Sequence, residues 1–288
     1  MRCPENSKGG RWANEKDAKS VVRAGVILLA LIVSIPLYLV IINAFKPHPE
    51  IVKHPLAFPT FEVGFDNMIN AFEKMDLIKS YGTTFSIGAL AMFIAVGLGA
   101  LAAYAVSRIK HPFFSTMYWV YTACILIPIQ SALIPVVLLM RDLHLQNSIL
   151  GMSLMYGAML SPFCIFMYSG FMRAIPYELE ESAYLDGCSP ARTFFQIILP
   201  LILPVTASLI IVQFISVWND LQLPLVLLNS ADHPTVSISL YKFFAGRSMS
   251  DLSLLFGGIM LTLLPIIVLF VSFQRFFVKG LSAGAVKG

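Results

Sequence analysis

The sequence predicts an all-α, polytopic integral membrane protein of about six transmembrane helices. Two observations carry that prediction. Charged residues make up 12% of the 288-residue chain and hydrophobic ones 57%, whereas soluble domains hold roughly 25% charged residues. With a mean hydropathy of +0.78, the polar surface is too small to cover a soluble globule. The apolar residues also gather in runs of about 20, the length that crosses a bilayer.

A polar, basic segment (1–21) precedes a transmembrane region (22–288). The run Val26 to Ile42 is too long for a cleaved signal core and reads as a retained first span. The six expected spans are Val22–Phe45, Tyr81–Ser107, Phe113–Leu139, Ile149–Met172, Leu201–Leu228 and Leu254–Phe277. Internal prolines such as Pro36, Pro128, Pro135, Pro162 and Pro265 are tolerated where neighbours satisfy the freed backbone groups. Ala95, Gly97, Gly99, Ala100, Ala102 and Ala103 give the second span a small-residue face for close packing.

Orientation follows from the cations. Thirteen Lys and Arg fall on the side of the N-terminus, including Arg108, Lys110, Arg173 and Arg192, and seven on the other side. Both termini are therefore expected in the cytoplasm. The segment 46–80 becomes the main external loop, proline-rich at first and then amphipathic from Phe65 to Leu77.

The most ordered polar segment is the cytoplasmic loop 173–200. Pro176 suits a first helical turn, and Glu178, Glu180 and Glu181 suit its positive dipole end. Gly187 supplies a left-handed stop. Ser189 and Pro190 then open a second helix toward the membrane. A short helix outside the bilayer can serve as a lever, with Ala183, Tyr184 and Leu185 filling a cleft on a partner. The alternative at this point is an interfacial helix with no partner.

The spacing Glu181-Ser182-Ala183, three residues, Gly187, nine residues, Ile197-x-Leu199-Pro200 resembles the Glu-Ala-Ala motif of bacterial ABC importer permeases, with Ser182 in place of Ala. Asp186-Gly187-Cys188-Ser189 is similar to the pattern of the carbohydrate-uptake branch. Ala102-Ala103-Tyr104-Ala105 with Ser107-Arg108 resembles the end of that family's second conserved span, and Trp218-Asn219-Asp220 followed by Pro224 resembles its fifth-span pattern. Gln274 to Phe277, with Gly280 to Gly288 in the cytoplasmic tail 278–288, resembles the tail of the smaller maltose-type permease. The resemblance implies a type I importer permease fold, a binding-protein-dependent inner membrane component. It also implies that Glu181, Ser182, Ala183, Tyr184, Leu185, Asp186 and Gly187 form the ATPase-coupling helix. Gly284, Val286 and Lys287 would make a secondary ATPase contact. The implied partners are a second homologous permease, two cytoplasmic ABC ATPases and an external solute-binding protein, with membrane lipid around the spans. The cargo would be a sugar or oligosaccharide, or a non-sugar solute such as glycerol 3-phosphate.

Within the apolar spans, Trp218, Asn219, Asp220, Gln213 and Gln130 are candidates for the substrate pathway. Trp218 equally suits an interfacial belt, and the two amides suit helix–helix hydrogen bonding. No phosphate-binding loop motif occurs, so ATP and Mg are expected on partner subunits and no cofactor on this chain. The chain is expected not to be an enzyme. The four cysteines and five histidines are too scattered for a metal site, and no basic patch with interleaved aromatics suggests nucleic acid. A self-contained secondary carrier or channel is the competing class; it would want more intramembrane charge and an internal repeat.

Overall fold

The computed structural model describes residues 8–245 and 251–285. Among the described residues, five helices are long and apolar enough to span a membrane. They are α1 (Lys8–Ala44, apolar from Lys19), α4 (Leu77–Arg108), α7 (Ile149–Ala174), α9 (Pro190–Asn219) and α12 (Leu252–Ala285, apolar to Gln274). Short helices α2 (His48–Lys53), α3 (Asp66–Lys74), α10 (Gln222–Leu227) and α11 (Val236–Ala245) lie between them.

The third expected span is not one helix. It consists of α5 (Pro112–Cys124) and α6 (Ile129–Asp142), bent by 105°. Pro128 cannot donate a backbone hydrogen bond and disfavours helix at the residue before it; its own ψ of 130° lies in the extended region. The fifth span also differs from expectation. It starts earlier, at Pro190, and stops at Asn219 rather than Leu228. There the Asp220 carboxylate accepts the Gln222 N–H (2.9 Å) and α10 begins anew.

The core is the packing of α4, α7 and α9. Ala95, Gly99, Ala100 and Ala103 are buried, as the small-residue face requires, but Gly97 faces outward. It lies in a π-helical turn, Phe93–Leu98, which rotates the face away. Gly157 of α7 packs tightly on α4, where an added Cβ would lie 2.5 Å from Ile94 Cγ2. A larger residue there would have to push the Ile94 side chain aside.

The segment after α1 is tied back to that helix. Asn67 donates to the carbonyls of Ala44 (3.0 Å) and Lys46 (2.9 Å). The buried Lys46 ammonium donates to Asn43 Oδ1 (3.1 Å) and the His54 carbonyl (2.9 Å). Burial lowers the Lys46 pKa below 10.5, against an opposing pull from Glu50.

Candidate functional site: the loop between α7 and α9

Helix α8 (Glu178–Leu185) carries three acids in its first turn, where the dipole favours them. It ends at Gly187, whose φ is +81°. The Cys188 N–H reaches the Ala183 carbonyl (2.9 Å) and the Gly187 N–H reaches that of Tyr184 (3.0 Å). This is the Schellman arrangement that glycine makes accessible. Ser189 Oγ then accepts the Arg192 N–H, and Pro190 opens α9. The expected order of helix, stop and helix is present, except that Pro176 lies before the N-cap Tyr177 and not in the first turn of α8.

Helix α8 has two faces. Glu180 is 1% exposed and Ala183 is also buried. Leu185, at the tip, is 89% exposed, and Glu181, Ser182, Tyr184, Asp186 and Gly187 are exposed with it. Ala183 therefore packs inward and does not belong with Tyr184 and Leu185 as a cleft-filling group. Ser182 bonds back to the Glu178 carbonyl (2.8 Å).

Sequence reasoning set Glu180 at the positive dipole end of the helix and did not reach its partners within the chain. Its carboxylate accepts the Tyr104 hydroxyl (2.8 Å) and pairs with Arg108 Nε at 2.5 Å. The latter is a charge contact and not an aligned hydrogen bond, since neither atom has a hydrogen-bond partner. Arg108 also donates to the Ile175 carbonyl (3.2 Å) and lies 5.9 Å from the Tyr177 ring centre. The signal available in the sequence was periodic: Glu180 and Ala183 are three apart and share a helical face.

The pathway candidates separate. The Asp220 carboxylate is engaged within the chain, accepting the Tyr156 hydroxyl (2.7 Å) as well as Gln222 N–H. Trp218 is buried, stacked on Tyr81 at 5.9 Å and edge-on to Phe85 at 5.2 Å. Gln213 is buried and donates to the Leu160 carbonyl (3.3 Å), joining α9 to α7. Gln130 is exposed beside the α5–α6 break and donates to Gln222 (3.1 Å). Asn219 is exposed and, with Trp218, lines a cavity of about 400 Å³ under α11. Of the tail residues, Gly284 lies in the last turns of α12, while Val286 and Lys287 lie outside the described residues.

A bundle of apolar spans with a broken third member and a stiff polar loop is the architecture of a membrane transport permease. Residues 95–283 match the family described as binding-protein-dependent transport system inner membrane component. The chain belongs to that family. It is 31% identical over 263 residues to the probable starch degradation products transport system permease protein AmyC of Thermoanaerobacterium thermosulfurigenes, covering 91% of this chain and 94% of that one. It is 30% identical over 268 residues to the melibiose/raffinose/stachyose import permease protein MelC of Bacillus subtilis (strain 168), covering 91% and 96%. A chain of a bacterial ABC transporter involved in the import of the acidic polysaccharide alginate shares the fold, with a TM-score of 0.79 at 18% identity over 96% of this chain and 100% of that one. The chain is thus an inner-membrane permease, a transport subunit and not an enzyme, that works with an ATPase and a solute-binding protein.

Proposed function

We propose that this permease passes a sugar or oligosaccharide inward as one half of a channel whose other half is a second, homologous permease. The relatives named for starch products and for melibiose, raffinose and stachyose support the cargo class. Both termini and α8 face the cytoplasm, in keeping with the cation bias of the loops. Two ATPases hold ATP and Mg there, and this chain holds no cofactor. Helix α8, with Glu181 to Gly187, is the coupling element, and the tail from Gly284 is a secondary contact.

The observation that carries this reading is the isolated apolar tip of α8. Leu185 is 89% exposed on a helix whose opposite face is locked to α4. A leucine so placed, beside exposed Tyr184 and Glu181, suits a cleft on a soluble protein. ATP-driven closure of the ATPases would pull α8 and shift the spans between inward-facing and outward-facing populations.

Leu185→Asp and Glu181→Lys test it. Each should release the ATPases from the purified complex and lower uptake by about tenfold or more, while the chain still inserts in the membrane. Normal uptake by both variants would sink the coupling role. Substrate-stimulated ATPase activity across a sugar panel identifies the cargo.

A further inference from the structure

We infer that Glu180 and Arg108 are positioning residues that fasten α8 to α4, so that α4 moves with the loop although the two are not consecutive in the chain. The inference rests on α8 being the coupling element. Backbone continuity links the loop to α7 through Ile175 and to α9 through Ser189. It gives α4 no such link. What joins them is a cluster of side chains from the last two turns of α4, where Tyr104 and Arg108 both reach Glu180. Arg108 also holds the carbonyl of Ile175, where the loop leaves α7.

The burial of this cluster makes the joint stiff. Glu180 is shielded on the inner face of α8, and the Arg108 side chain is 12% exposed. A buried ion pair is a weak source of net stability, because desolvation opposes its attraction. Separating the partners leaves an uncompensated buried charge, which is far more costly. A pair of that kind resists being pulled apart during motion more than it favours the resting fold. Tyr104 adds a second contact, its ring 5.1 Å from Phe194 at the start of α9. The three spans meeting the loop thus share one anchored end.

The test uses the full permease–ATPase complex, with spin labels carried on unnatural amino acids at Ile109, just past α4, and Glu178, on α8. In the parent complex the inter-label distance should stay constant between nucleotide-free and ATP-trapped states. In Glu180→Gln it should shift or broaden by about 2 Å or more on ATP binding, the scale of helix displacements in switching proteins. Arg108→Met/Glu180→Met removes both charges at once and should recover wild-type amounts of complex while keeping the broadened distance. A nucleotide-dependent distance in the parent, or a constant one in both variants, would overturn the joint. Failure of both variants to assemble would make the pair a folding element and overturn it equally. Leu185→Asp, scored in parallel for ATPase retention, reports on the coupling role itself, so the two ideas can fail separately.

Discussion

The protein holds a buried charge beside each of two loops, and the two are satisfied in different ways. Lys46 sits just after α1, and its ammonium is met by neutral acceptors within nine residues, Asn43 and the carbonyls of His54 and Pro55. Glu180 is met by an opposite charge and a hydroxyl from a span more than seventy residues away in sequence. The first arrangement folds a loop onto the helix it grew from. The second joins a loop to a helix it would otherwise only pass. A local tie can contribute stability alone, whereas a long-range tie can carry displacement from one element to another.

The comparison can be broken most sharply at Gly187. Proline there cannot adopt φ of +81° and removes the N–H that the Tyr184 carbonyl accepts. Gly187→Pro should abolish uptake in reconstituted vesicles with membrane insertion intact. Next in size is Asn67→Ala, which strips two carbonyls at the end of α1 of their donor. It should cost about 1–3 kcal/mol in thermal unfolding and leave the ratio of cargo moved to ATP hydrolysed unchanged. Lys46→Met should cost less, about 1 kcal/mol, because lost hydrogen bonds are offset by relief of a buried charge. Smallest is the pH effect. The folded pKa of Lys46 lies below the unfolded 10.5, so the folded state sheds its proton first as pH rises. The stability of the parent relative to Lys46→Met should therefore increase from below the folded pKa up to about 10.5, and a flat difference would contradict the shift.

Much of the loop was legible because its signals are local. Gly187, Ser189 and Pro190 act on the backbone within a turn of themselves, and each does in the structure what its chemistry dictates; Pro176 instead lies just outside the helix, before its N-cap Tyr177. Five spans were legible from apolar length. The third was misread because hydropathy records composition and not continuity: Pro128 was one tolerated proline among several until its neighbours left it extended. Asp220 looked like a polar group awaiting solvent because its partner, Tyr156, lies 64 residues away. Glu180 was hidden for the same reason. Periodicity marks it as facing inward, but nothing in the linear chain says that Tyr104 and Arg108 wait there.

The break between α5 and α6 has a consequence for the life of the subunit before it works. Helix α5 is 13 residues long, about 20 Å at 1.5 Å per residue, so the break falls short of the far side of a hydrocarbon layer about 30 Å thick. Leu126, in the break, is 84% exposed. Irregular backbone at that depth persists only where protein or water covers it. The chain itself meets much of that need: the Leu126 and Ile127 N–H groups reach the carbonyls of Ala123 (3.1 Å) and Cys124 (3.2 Å), and the Ser131 N–H reaches that of Pro128 (3.0 Å). The bend that Pro128 forces is thus closed largely by the chain's own backbone, before any companion subunit arrives.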